Sequence, residues 1–223
     1  MIYLDVETLP REGVPRPAPT PEEPDPFAPP PCHEIACMVG IWWTGKAWDR
    51  RVWFADTLTD IACEILGRGP VAGWGIRRFD LPVLLWHAAR YRHRALAERV
   101  RALMGAPRYK HDAVRDVSDI LSGYGAAPHT SLDAACKALG LRGKGETDGT
   151  DVERLWVAEG RRDDVVTYCT EDVVHTILVD MITAGAAVEK LTQLWDAAAP
   201  WVPELARSSW SVGPSRPRSQ PVA

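Results

Sequence analysis

The period of the apolar positions changes along this 223-residue chain, and the changes mark out its elements. Ile2, Tyr3, Leu4 and Val6 form a short β-branched and aromatic run interrupted only by Asp5, the pattern of a buried strand over Ile2–Glu7. Similar runs predict strands at Glu34–Trp43, Ala47–Phe54, Val71–Trp74 and Val114–Val117. Gly45 and Lys46 fit a tight hairpin between the second and third, so the first three strands read as an antiparallel meander. Elsewhere the spacing is helical: Thr57–Leu66, Leu81–Ala89, Ala95–Met104, Leu132–Leu139, Asp151–Ala158, Val165–Ile182 and Val188–Trp195. In the longest of these, Val165, Cys169, Val173 and Ile177 recur every four residues as a core stripe. The later strands are separated by helices, as parallel crossovers require. The expected architecture is α/β, a mixed five-stranded sheet flanked by helices.

Two segments break this order. Residues 10–31 hold ten of the 19 prolines and read as a polyproline-like excursion between the first two strands, either a disordered insertion or a partner-binding loop. Residues 207–223 read as a disordered tail. Residues 1–206 are expected to form a single domain, since the length suffices for one full core and hardly for two.

The first strand also carries chemistry. Residues two apart in a strand project from one face, so Asp5 and Glu7 stand side by side. Two carboxylates about 4 Å apart repel by about 4 kcal/mol at an effective dielectric near 20. A divalent hard cation with oxygen ligands is the usual compensation. Two later segments add acidic groups. Asp80 stands where a strand and a glycine-containing turn enter a helix beginning Leu81-Pro82, a position that also suits a plain N-cap. Tyr168 and Asp172 lie four apart on the long helix, about 60° from its core stripe, where a cleft would be lined.

These elements, in this order, resemble the DEDD superfamily of 3′-5′ exonucleases, the DnaQ-like branch of the ribonuclease H-like fold. Within it the chain is similar to predicted 3′-5′ exonucleases related to the proofreading domain of family-B DNA polymerases. The matching stretches are Leu4-Asp-Val-Glu-Thr-Leu-Pro10, Phe79-Asp-Leu-Pro-Val-Leu84, Asp116-Val-Ser-Asp-Ile-Leu-Ser-Gly-Tyr-Gly-Ala126, Ser131-Leu-Asp133, Leu139-Gly-Leu-Arg-Gly-Lys-Gly145, Asp148-Gly149 and Tyr168-Cys-Thr-Glu-Asp-Val-Val-His-Thr176. They span about residues 1–185. The resemblance implies that Asp5, Glu7, Asp80 and Asp172 are metal ligands and that Tyr168 is placed near the attacking water. His-type relatives carry histidine five residues before the last Asp; here that residue is Thr167, so the Tyr-type assignment is preferred. There is one departure. Relatives usually carry Asn five residues before the second-motif Asp, where this chain has Gly75 after Trp74. An amide near the substrate end is therefore missing, and Trp74 reads either as a stacking surface or as core.

Composition bounds the remainder. The net charge of −4 does not advertise nucleic-acid binding, but distribution matters more than the total. His87–Lys110 holds seven Arg and Lys against Glu98 alone, either a solvated helical face or a positive wall for a single strand. Arg77 and Arg78, just before Asp80, are better placed still for a phosphate. Lys144, in a glycine-rich loop without the Walker pattern, is a further phosphate contact or an ordinary surface residue. Five cysteines without C-x-x-C spacing suit reduced thiols in a cytoplasmic protein. No apolar run reaches membrane-spanning length.

The expected function is a 3′-5′ exonuclease on single-stranded DNA ends. It would use two Mg2+ or Mn2+ ions and release nucleoside 5′-monophosphates, with Thr8 and Leu9 bordering the terminal nucleotide. An exoribonuclease of the same fold and an inert nucleic-acid-binding or polymerase-accessory module are the rival readings. A replication or repair partner is expected to supply any polymerase in trans.

Overall fold

The computed structural model describes residues 1–15, 29–57, 66–67, 69–143, 149–203 and 205. Its five strands are β1 (Ile2–Pro10), β2 (His33–Trp43), β3 (Trp48–Phe54), β4 (Val71–Gly73) and β5 (Val114–Asp116). They lie side by side in the order β3-β2-β1-β4-β5. The β3-β2-β1 half is antiparallel and the β1-β4-β5 half parallel, so β1 is the central strand and the seam between them. This is the mixed α/β sheet of the ribonuclease H-like class. Among the described residues no helix is long and apolar enough to cross a membrane.

Alternation along β1 sorts the two faces. Ile2, Leu4 and Val6 join one core with Met38, Trp53, Leu81, Leu84, Leu96 and Val100, beneath helices α1 (Asp80–Arg90) and α2 (Arg94–Met104). Tyr3 joins the other core with Cys37, Val39 and Ile41. That core is covered by α6 (Arg162–Thr183) and α7 (Val188–Ala198), after the shorter α3 (Val117–Leu121), α4 (Leu132–Ala138) and α5 (Asp151–Glu153). Asp5 and Glu7 share the parity of Tyr3 and so face α6, opposite Val39 and Cys37 in register. A bulge between Glu7 and Thr8 shifts the register just beyond them, and β1 runs three residues further than its apolar pattern predicts.

Two expectations are corrected. β5 ends at Asp116, one residue early, because Asp116 instead caps α3 by accepting the Asp119 N–H. The helix expected over Asp151–Ala158 is α-helical only to Glu153 and continues as a π-helical turn, Arg154–Ala158. Tyr168 and Asp172 lie one turn apart on α6. α6 packs on β1 and β2 and is flanked by α4 and α7, so both residues are buried, at 6% and 7% exposure. The predicted helix Thr57–Leu66 falls largely outside the described residues. The same holds for residues 16–28 of the proline-rich segment and for the tail expected over 207–223.

One buried network ties the central strand and β5 to α6 on a single face of the sheet. The Tyr3 hydroxyl donates to Asp180 of α6 at 2.6 Å, and the Arg115 guanidinium of β5 donates to both oxygens of the same carboxylate. Burial and the adjacent Asp180 charge push the Tyr3 hydroxyl far above its ordinary pKa, so it serves as a donor only. Between β4 and α1 the chain turns through Trp74–Phe79, with Gly75 left-handed at φ +67°. Asp116 holds this turn by accepting the Gly75 and Arg77 N–H groups, each at 3.1 Å. Asparagine is among the few L-residues that visit this conformation readily, so an Asn-to-Gly exchange preserves the backbone path.

Two outcomes follow from this scaffold. Asp180→Ala strands a cation and a phenol in the interior and should cost about 3 kcal/mol in urea unfolding, the scale for breaking a buried pair. Gly75→Asn should fold within about 1 kcal/mol of the parent. Gly75→Val, a β-branched residue at positive φ, should lose clearly more in the same assay.

Candidate active site

The sheet parity that sets Asp5 and Glu7 toward α6 brings them against the turn of that helix carrying Tyr168, Cys169 and Asp172. Ligand atoms of Asp5, Glu7 and Cys169 lie within 4.8 Å of one another, the only such grouping of acid, His and Cys side chains among the described residues. The Cys169 thiol lies 3.3 Å from Asp5 Oδ2 and donates toward it. Composition and spacing placed Cys169 only on the core stripe, where it indeed sits fully buried. Its one sequence signal was adjacency to Tyr168, because facing a strand also means facing that strand's carboxylates.

Asp80 reaches the cluster from the other half of the sheet. β1 pairs with β4 only over Ile2 and Tyr3, so the Val6 N–H has no strand partner on that side. The Asp80 carboxylate accepts it at 2.9 Å. The plain N-cap reading of Asp80 therefore does not hold: the cap position is Phe79, no side chain caps the helix, and Asp80 is its first residue. At 2% exposure, burial raises the Asp80 pKa well above the carboxylate range, and the charge of Asp5 raises it further.

The same charge acts on two more groups. Tyr168 is raised chiefly by burial, then by Asp172, Glu7 and Asp5. Cys169 is raised by burial, then by its hydrogen bond with Cys37 and the charge of Asp5. Asp5 thus opposes ionisation of Asp80, Tyr168 and Cys169 together, the signature of a pocket holding more negative charge than its dielectric favours. Hard carboxylate oxygens converging there fit a divalent cation, and burial leaves the Tyr168 hydroxyl protonated as a neutral hydrogen-bonding group.

The residues read as substrate contacts are distributed around this cluster. Thr8 Oγ1 is 2.8 Å from His33 Nδ1 at the bulge. Leu9 and Trp74 are half-buried and pack against the α6-side core. Arg77 turns its guanidinium inward onto the carbonyls of Ala106, Pro107 and Val114, whereas Arg78 is exposed. Lys144 lies outside the described residues. The basic stretch after Asp80 is partly committed to the protein itself: Arg90 pairs with Glu34, Arg94 with Glu98 and Arg108 with Asp119, and Arg99 bonds the Leu66 carbonyl.

No curated protein matches the chain. Among solved structures, the family B DNA polymerase from the hyperthermophilic archaeon Pyrobaculum calidifontis superimposes with a TM-score of 0.56 at 17% identity, over 93% of this chain and 27% of the polymerase. E. coli exonuclease I, in complex with a 5cy-dT13 oligonucleotide, is matched with a TM-score of 0.36 at 12% identity, over 74% of this chain and 42% of that one. The chain spans only about a quarter of the polymerase, whose likeness is one of fold. A family model described as a predicted 3′-5′ exonuclease related to the exonuclease domain of PolB matches residues 68–189, which include Asp80, Tyr168 and Asp172 but begin after Asp5 and Glu7. That match covers more than half of the sequence, and the chain belongs to this family of predicted 3′-5′ exonucleases.

Proposed function

We propose that the protein removes nucleotides from the 3′ end of single-stranded DNA as nucleoside 5′-monophosphates. In this reading Asp5, Glu7, Asp80 and Asp172 hold two Mg2+ or Mn2+ ions. The observation that carries it is the convergence of acidic groups beside the central strand: ligand atoms of Asp5, Glu7 and Cys169 lie within 4.8 Å of one another, and Asp80, held by the Val6 N–H, is raised by burial and then by the charge of Asp5, which a cation would relieve. Bound divalent ions supply positive charge for the scissile phosphate and acidify water at its side.

The side chains have distinct tasks. The Val6 N–H fixes the Asp80 carboxylate, so its position does not depend on the ion. The Tyr168 hydroxyl keeps its proton and orients the attacking water by hydrogen bonding; it is not the base. The Cys169 thiol, held protonated, steadies Asp5 from behind. Thr8 and Leu9, just past the carboxylates on β1, border the terminal nucleotide. Arg78 is left exposed for a phosphate, while Arg77 braces the turn that presents Asp80.

Incubating 5′-labelled DNA and RNA strands of one sequence with and without magnesium tests the reading. A ladder shortening from the 3′ end on DNA, lost in EDTA, is expected; an intact strand in magnesium removes it. Asp5→Ala and Asp172→Ala should each leave less than a few per cent of the rate with the fold retained. Tyr168→Phe should slow hydrolysis by roughly 10- to 1000-fold, the scale of one transition-state hydrogen bond, with manganese affinity by calorimetry nearly unchanged. Asp80→Asn keeps an acceptor for Val6 and removes an ionisable group that burial and Asp5 hold above its ordinary pKa. In EDTA at neutral pH its unfolding midpoint should rise, by about 2–4 °C for each kcal/mol of relieved burial cost and repulsion, while its hydrolysis is lost.

A further inference from the structure

A second surface lies beyond the carboxylate cluster, beside β5, the outer strand of the parallel half. Its first component is aromatic. Tyr109, in the loop before β5, is 69% exposed. Its ring meets that of Tyr124 edge-on at 4.7 Å. Tyr124 in turn lies parallel to His111, with interplanar angle 8°, and its hydroxyl is 2.7 Å from His111 Nε2. Tyr124 is held in the left-handed region at φ +59°, between Gly123 and Gly125, which are left-handed too. Residues other than glycine, asparagine and aspartate rarely adopt that conformation, which crowds the Cβ against the following carbonyl oxygen. The Tyr124 N–H bond to the Asp119 carbonyl at 2.7 Å and the Ala127 bond to Ser122 at 2.9 Å maintain it. A strained backbone that delivers a ring to an exposed stack is the kind of local cost that function retains.

The second component is cationic. A cavity of about 370 Å³ is lined by Arg77, Arg78, Met104, Ala106, Arg108 and Asp119. Three arginines and one aspartate line it. Arg77 is immobilised on backbone carbonyls and Arg108 on Asp119 through two bonds of 2.7 and 2.6 Å, so both are ordered before any ligand arrives. The two components are contiguous: a Cβ built at Gly125, next to Tyr124, would sit 3.8 Å from the Arg108 guanidinium. The cavity is also joined to the carboxylates. Arg77 and Arg78 belong to the turn that leads into Asp80, and the sheet places β5 two strand spacings from β1, about 10 Å.

We infer that this surface is a docking platform for the single strand upstream of the end held at the carboxylates, with a backbone phosphate in the arginine cavity and a base stacked on Tyr109. The inference rests on the exonuclease reading for its direction along the strand. Rings that accept any base face, beside ordered cations that accept any phosphate, are the chemistry of sequence-tolerant single-strand binding. On a chain of net charge −4, a local positive cavity is where a polyanion is attracted.

Fluorescence anisotropy with labelled dT12 and rU12, in calcium to limit cleavage, tests it on the full chain. Tyr109→Ala should weaken binding roughly 5- to 100-fold, the range for loss of one stacked base, with an unchanged thermal midpoint because the ring is exposed. Tyr109→Phe should bind as the parent does. Arg78→Ala should lower the log–log salt slope by about 0.7. A loss confined to dT12 or to rU12 supports the platform and assigns it to that sugar. Affinity within twofold of the parent for both strands in Tyr109→Ala overturns it. The two readings fail separately. A protein that shortens dT12 in magnesium but binds equally well as Tyr109→Ala keeps the exonuclease and loses the platform. One whose binding depends on Tyr109 but which releases no nucleotide keeps the platform alone.

Discussion

The hydrogen bond from the Val6 N–H to the Asp80 carboxylate is the constraint on which the site depends. β1 leaves β4 after two residues, and its next inward-facing donor would otherwise be an unmet buried N–H, which costs about as much as a lost hydrogen bond. A side chain from the start of α1 meets it. The acceptor chosen is an acid, so satisfying the backbone also drives a carboxylate toward Asp5 in a dry setting. The strand geometry and the electrostatic strain have one origin. A cluster that resists its own ionisation follows from how the parallel half of the sheet is closed.

The part of this legible in sequence was the part set by local periodicity. The i, i+2 spacing of Asp5 and Glu7 fixed their common face once Ile2–Val6 was a strand, and the Val165–Ile177 stripe fixed which side of α6 meets the sheet. The order of strands and helices implied a meander followed by crossovers, as observed. Other features depended on contacts distant in sequence. Asp80 looks like a cap in one dimension because only the separation of β1 from β4 reveals the Val6 donor. Arg77 reads in sequence only as a cation beside Asp80, and the carbonyls that hold its guanidinium, Ala106 and Pro107 of one loop and Val114 of β5, are 29 to 37 residues away. Asp116 reads as strand, yet its side chain gathers the turn before α1 and the first turn of α3 in one place.

Gly75 stands where the family resemblance implies an asparagine, and the position has a backbone aspect and a side-chain aspect. The backbone role, a left-handed residue at the head of the turn, is retained. The amide is not, and among the described residues the nearest side-chain atom to a Cβ at that position is the Ser118 hydroxyl, 3.9 Å away. Under the proposed exonuclease reading, contacts to the substrate end then fall to groups further along the turn, Arg78 among them.

The Tyr3–Asp180–Arg115 network acts as an index pin for α6. Asp180 lies eight residues beyond Asp172, about 12 Å along the helix axis. A long helix lying on a smooth apolar sheet could otherwise slide or roll with little resistance, since dispersion contacts are not directional. A carboxylate clamped by a phenol from the central strand and a guanidinium from the edge strand permits one axial position and one screw angle. A slip of a single residue would rotate Tyr168 and Asp172 by about 100°. The angular setting of the chemistry is therefore fixed by a polar lock two turns away, and that lock keeps its place whether or not anything is bound between the carboxylates.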